Sequence, residues 1–174
     1  MIASEGFDPI EETEKLQHAT DGNAVQFLLF GQGESQFAID LMSVREVLFL
    51  RQQSICAVPN TLPYLIGLTN LRGEILAVAD FGRFMGAEPV DPDSPQSRIL
   101  VVEVPNGNNN ALSNVRMGLA LSRVYGVISV NRDRIVSSID VSEEVAPFLR
   151  GLYDLNGSLV MILDIEALAQ SERW

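Results

Sequence analysis

The sequence predicts a mainly β protein built from two related halves, with short strands arranged as small barrels and a few short helices. Three observations carry that reading. The frame from Tyr64 to Asp80 returns 84 residues later: Tyr64, Gly67, Gly73 and Asp80 are matched by Phe148, Gly151, Gly157 and Asp164, and Leu65, Leu68 and Ile75 by Leu149, Leu152 and Leu159. A second echo, at an offset of 80, sets Phe37, Ile39, Val44 and Val47 against Met117, Leu119, Val124 and Val127. The chain is also rich in short apolar runs separated by glycine-bearing turns, the pattern of small barrels.

Taken in order, residues 1–23 carry six acids and one base, Lys15, a net of −5. Asp8-Pro9-Ile10-Glu11 has the capping residue, first-turn proline and glutamate of a helix start, so a short exposed helix is expected over Pro9–Ala19. The lone His18 in that solvated acidic stretch is read as inert. Val25–Phe30 and Gln36–Asp40 form a hairpin around Gly31–Ser35. The Gly31-Gln32-Gly33 triplet opens onto a strand rather than a helix, which rules out a phosphate-cradling loop. Leu41, Val44 and Leu48 fall at helical spacing, with Asp40 placed to cap, so Leu41–Leu48 is expected to be a helix with Arg45 and Glu46 outward. Val58–Pro63 is a turn region.

In the central frame, two apolar runs flank Asn70-Leu71-Arg72-Gly73. Gly73 suits a backbone position with φ > 0 in a tight connection, and Ile75–Ala79, apolar on both faces, is expected to be buried on both sides. Asp80-Phe81-Gly82 matches the metal-binding triplet of protein kinases, but the chain lacks the accompanying glycine-rich loop, strand lysine and catalytic loop. Asp80 and its counterpart Asp164 are read instead as caps of short helices, the second over Ile165–Gln170. Ala87–Gln96 is a loop with three prolines. Arg98–Val104 is a strand, followed by the turn-rich Pro105–Asn110. Val115, Met117, Leu119 and Leu121 alternate as a strand with one buried face, Val124–Val130 is another strand, and Ile139–Ala146 is a loop or short helix.

The bulk numbers narrow the function. A chain of 174 residues with 47% hydrophobic content forms one compact domain or two small sub-domains with a real core. The net charge of −11 argues against nucleic acid or an anionic membrane as main partner and favours docking on proteins. The single cysteine, Cys56, excludes an internal disulfide and multi-cysteine metal sites, and is read as a small apolar filler. The first residues lack the basic character of a signal peptide, and no apolar run reaches the ~18 residues of a membrane span, so a cytoplasmic protein is expected. No cofactor or metal is implied.

The repeat also separates roles. Features present in both copies are explained by the shared fold. Asn70 and Arg72 are not shared, since Asp154 and Asn156 stand in their places, and Glu46 falls opposite Gly126. Arg72, a fixed charge at the rim of a core strand, is the first functional candidate.

Asn70-Leu71-Arg72-Gly73 followed by an apolar strand ending at Asp80 resembles the CheW domain. Phe27–Phe30, Phe37–Asp40 and Val44-Arg45-Glu46-Val47 resemble the family's opening elements, and the likeness runs over Val25–Leu168. The resemblance implies two SH3-like five-stranded β-barrels packed side by side. The domain is then expected over 24–174 as two intertwined sub-domains, behind the acidic segment 1–23. It implies a non-enzymatic adaptor in the cytoplasm, recruited to membrane-associated arrays. That adaptor would couple the cytoplasmic tips of methyl-accepting chemoreceptors to the regulatory domain of a CheA-type histidine kinase. In that family, positions corresponding to Val44, Glu46 and Arg72 contribute to the receptor-binding face, and Asn70 of the same motif is grouped with them. The kinase-contact residues are not assigned.

Two other readings compete. A general SH3-like module binding proline-rich peptides needs aromatic-lined grooves, and aromatics are only 7% of this chain. An enzyme needs a nucleophile–base or paired-carboxylate arrangement, and none stands out.

Overall fold

The computed structural model describes residues 22–106, 114–137 and 140–174. The expected helix over Pro9–Ala19 and His18 lie outside them, as do parts of the expected loops Pro105–Asn110 and Ile139–Ala146.

Among the described residues, ten strands form two five-stranded sheets. They are β1 (Ala24–Gln32), β2 (Ser35–Asp40), β3 (Val44–Phe49), β4 (Leu65–Leu71), β5 (Glu74–Asp80), β6 (Arg98–Pro105), β7 (Asn114–Leu121), β8 (Arg123–Asn131), β9 (Leu149–Leu155) and β10 (Ser158–Leu163). The first barrel has the order β8-β1-β2-β10-β9 and the second β3-β6-β7-β5-β4. Each barrel therefore takes its first two strands from one half of the sequence and the other three from the other half. The parallel pairs β2–β10 and β5–β7 are the joints where the halves meet.

Both barrels are closed in the same way. Beyond β3 the chain returns to the far edge of the sheet, where Cys56 and Leu68 of β4 exchange both backbone hydrogen bonds (2.8 and 2.9 Å). Beyond β8, Val136 does the same with Leu152 of β9 (2.9 and 2.8 Å). These closures explain the repeated glycines. A Cβ at Gly67 would lie 2.2 Å from the Cys56 carbonyl oxygen, and one at Gly151 would lie 2.3 Å from that of Val136. Cys56 serves through its backbone, and its side chain is exposed rather than filling a core.

Strand alternation then divides the apolar residues among three cores. Phe27, Leu29, Ala38, Val160 and Ile162 fill the first barrel, and Leu76, Val78, Ile99, Val101 and Ala120 the second. The opposite faces of the same strands meet in a larger seam between the barrels, holding Phe30, Phe37, Phe81, Leu100, Leu119 and Leu163. Phe81 packs edge-on against both Phe30 (5.2 Å between centroids) and Phe37 (4.9 Å), pairs worth about 0.5–1.5 kcal/mol each beyond their area. Gln32 spans the seam: its Nε2 donates to the Glu88 carbonyl (3.0 Å) and its Oε1 accepts from the Ser122 amide (3.0 Å).

The two aspartates cap as expected. Asp80 Oδ1 accepts from the Arg83 amide (3.0 Å) at the start of the helix Phe81–Phe84, and Asp164 Oδ1 from the Ala167 amide (3.0 Å) at the start of Ile165–Ala169. Asp80 is buried and its second oxygen also takes the Val90 amide (3.1 Å), tying down the proline-bearing loop.

Three expectations are corrected. Leu41–Leu48 is not a helix: Asp40 caps only the single 3₁₀ turn Leu41–Ser43, and Val44 onward is strand β3, paired to β6. Val44 and Val47 are β-branched and suit a sheet, and the tertiary pairing overrides the helical spacing. β5 is not buried on both sides, since Ile75 and Ala77 are exposed while Leu76 and Val78 face the barrel interior. β7, by contrast, is buried on both faces from Met117 on, because Gly118 and Ala120 line the barrel while Met117, Leu119 and Leu121 face the seam.

Candidate functional site

The site is built on a two-residue hairpin. Leu71 pairs with Glu74, leaving Arg72 (φ 53°) and Gly73 (φ 86°) as the turn residues, both left-handed, the pattern of a type I′ turn. The Asn70 side chain holds it, its Oδ1 accepting from the Gly73 amide at 2.8 Å. The counterpart turn is Asn156 (φ 51°) and Gly157 (φ 89°), with Asp154 Oδ1 accepting from the Gly157 amide at 2.7 Å. Asn70 and Asp154 thus do the same local work, whereas Arg72 and Asn156 do not. Asparagine tolerates the left-handed region, but a long side chain such as arginine gains nothing there to offset the steric penalty.

What Arg72 does instead is form a fork on Glu46. Its Nη1 donates to Oε2 at 2.7 Å and its Nη2 to Oε1 at 2.5 Å, the bidentate geometry in which guanidinium and carboxylate fit best. The hydrogen bonds from Arg72 hold the Glu46 carboxyl below its ordinary range. Glu46 reaches the turn because of a β-bulge. Val44 pairs with Val102 and Glu46 with Val101, so Arg45 is an extra residue on β3. Without it Val44 and Glu46 would share a face. With it Val44 turns into the seam and Glu46 into the end of the second barrel. Of the four residues singled out in the sequence, the structure joins Glu46 to Arg72, uses Asn70 to shape the turn, and sets Val44 half-buried on the opposite face of β3.

Four further charges surround this pair and were missed. Glu103 on β6, Arg116 on β7 and Glu74 on β5 lie on the interior-facing side of their strands, one step past the last core residue, and Arg45 joins them from the bulge. Arg45 Nε donates to Glu103 Oε2 (2.7 Å), Arg116 Nη2 to the same oxygen (3.3 Å) and Arg116 Nη1 to Glu74 Oε2 (2.6 Å). Asn114 Nδ2 adds a bond to Glu103 Oε1 (2.8 Å). The bonds from Asn114 and Arg45 push the Glu103 carboxyl down to about 2. Glu74 is two residues from Arg72 across the turn, so the fork on Glu46 closes a ring of charges around the mouth of the barrel. The signal was present in the sequence: Arg116 stands 80 residues after Gln36 and Glu74 84 before Ser158, the same offsets that singled out Glu46 and Arg72.

Comparison with known proteins agrees with this architecture. The CheW-like domain profile matches residues 26–173. The chain is 26% identical over 144 residues to a probable chemotaxis protein CheW of Rhizobium etli, covering 82% of this chain and 86% of that one. It is 25% identical over 161 residues to the chemotaxis protein CheW of Rhizobium meliloti (92% and 96%), and 28% identical over 159 residues to that of Klebsiella aerogenes (91% and 88%). The crystal structure of the scaffolding protein TtCheW from Thermoanaerobacter tengcongensis has the same fold, with a TM-score of 0.73 at 24% identity, covering 87% of this chain and 96% of that one. The chain belongs to the CheW-like domain family, the family of chemotaxis adaptors and scaffolds.

Proposed function

We propose that this protein is a non-enzymatic adaptor that couples the cytoplasmic tips of methyl-accepting chemoreceptors to the regulatory domain of a CheA-type histidine kinase. The observation that carries the reading is the Arg72–Glu46 fork. A cation is held in a left-handed turn that the other barrel fills with asparagine, and it is oriented by a carboxylate that the other barrel replaces with Gly126. Backbone strain retained at one of two equivalent corners marks a position selected for something other than folding. Receptor tips are helical hairpins, so the receptor is read as a helix lying along the Val44 side of β3, fixed at its edge by Arg72. Among the described residues no helix is long and apolar enough to cross a membrane, which fits recruitment to the receptors by docking.

The test is Arg72→Glu. Reversing a rim charge adds repulsion as well as removing attraction, so co-sedimentation with a receptor signalling fragment should weaken by about tenfold or more. Calorimetry with the kinase regulatory domain should show little change, since that partner is read as docking barrel against barrel elsewhere. Unchanged receptor binding by a folded variant rejects the site. Equal loss of both partners makes Arg72 a folding residue.

A further inference from the structure

The six charges at the mouth of the second barrel have counterparts in the first, fixed by strand register and by the matching bulges. Tyr125 is the extra residue of β8 as Arg45 is of β3, because Phe30 pairs with Val124 and Leu29 with Gly126. Arg45 then corresponds to Tyr125 and Glu46 to Gly126. Glu103 corresponds to Gly31, Arg116 to Gln36, Arg72 to Asn156 and Glu74 to Ser158. Not one of the six is charged in the first barrel. That mouth is filled otherwise: the Tyr125 ring lies over Gly31, where a Cβ would meet it at 3.0 Å, and the Gln36 Oε1 is buried with no partner among the described residues. A barrel of this fold thus closes its end without any ring of charge.

The ring is also layered. The side chains of Glu103 and Glu46 are sunken, 15% and 23% exposed, while those of Arg45, Arg72 and Arg116 stand above them at 49%, 72% and 42%. Glu74 is the one outward acid, at 70%. On a chain of net charge −11, this end therefore presents three guanidinium groups seated on carboxylates. A guanidinium offers five donors and a carboxylate fork uses two, so a seated arginine can still receive a second carboxylate.

We propose that the whole charged mouth, rather than the Arg72–Glu46 pair alone, is the recognition surface, and that Arg45 and Arg116 join Arg72 in receiving an acidic face of the receptor helix. The inference rests on the adaptor reading above and names the chemistry of the partner. The three arginines and three glutamates cancel, so the mouth offers an acidic partner outward donors at a patch free of the repulsion that the net charge of −11 exerts elsewhere.

The experiment compares four variants of the full chain against a receptor signalling fragment, with the kinase regulatory domain as control and thermal melting as the fold check. Arg116→Gln installs the residue that the first barrel carries, so the protein should fold. Its receptor affinity should drop about tenfold, with kinase affinity unchanged. Arg45→Gln should act in the same direction and serves if Arg116→Gln fails to fold. Glu74→Ser, also a first-barrel residue, removes the outward acid that an acidic partner would meet and should tighten receptor binding. Full receptor affinity in folded Arg116→Gln and Arg45→Gln overturns the extended surface, and unchanged or weaker binding by folded Glu74→Ser overturns the acidic partner. Arg72→Glu separates the two levels: if it weakens binding while the arginine-to-glutamine variants do not, only this inference fails, and if it has no effect the adaptor site itself fails.

Discussion

Arg72 and Asn156 occupy the same corner of the two barrels, with φ of 53° and 51°, and only Asn156 is a residue that settles there readily. The first barrel therefore shows what the fold prefers, and the second shows what is placed there against that preference.

Replacing Arg72 by Asn should accordingly raise the melting temperature by about 2 °C or leave it unchanged, while weakening receptor binding. Differential scanning calorimetry beside a binding titration measures the two effects. A substantial fall in melting temperature would show that the fork, rather than the turn, dominates stability at this corner.

The ring should make stability depend on pH. The Glu46 and Glu103 carboxyls are both held below the ordinary value of 4.5, Glu103 at about 2. Groups depressed in this way stabilise the folded state above their unfolded pKa, and the contribution is lost as pH falls through the folded one. Melting temperature should therefore decline between about pH 4.5 and 2, and Glu103→Gln should flatten part of that decline. An identical pH profile in the variant would show that the Glu103 bonds do not survive in solution.

Asp80→Ala should cost more than Asp164→Ala. Both remove a helix cap, worth about 0.5–2 kcal/mol, but only Asp80 also holds the Val90 amide, so about 1 kcal/mol more is expected. Urea unfolding of the two variants gives the difference, and equal losses would mean that the Val90 bond contributes nothing.

Gly67→Ala and Gly151→Ala should each destabilise by about 2–4 kcal/mol, because the added methyl meets a closing carbonyl at 2.2 or 2.3 Å. Hydrogen exchange should localise the damage to the Cys56–Leu68 bridge in one case and the Val136–Leu152 bridge in the other. Wild-type protection at both bridges would remove the steric account of the repeated glycines.

The parts of the fold legible in the sequence were those with local signals. Gly73, Asp80, Asp164 and the first hairpin each announce themselves within a few residues, and the 84-residue offset tied them into two copies. β3 was misread because Leu41, Val44 and Leu48 fall at helical spacing by accident, while the strand that claims Val44 and Leu48, β6, lies far along the chain. Ile75 and Ala77 were assigned to the interior because composition shows that a face is apolar but not whether anything covers it. The Arg72–Glu46 pair was legible as two candidates but not as a contact. Of its four companions, Arg45 falls in the segment read as a helix, Glu74, Glu103 and Arg116 fall in or beside strands read only for their apolar residues, and the ring exists only once five strands are wrapped into a barrel.

The strand order has a consequence for any attempt to divide the molecule. β1–β5 lie before the proline-bearing loop at residues 87–97 and β6–β10 after it, yet neither set contains a whole barrel. A single nick in that loop would give two fragments that are each unfoldable alone and complete together, the relation that holds between protomers of a domain-swapped dimer. The loop then acts chiefly as a tether, raising the effective concentration of one half around the other. The asymmetry of the charged mouth is what a fused pair permits and an identical pair of chains does not: one corner free to carry strain and charge while its twin keeps the turn that folds best.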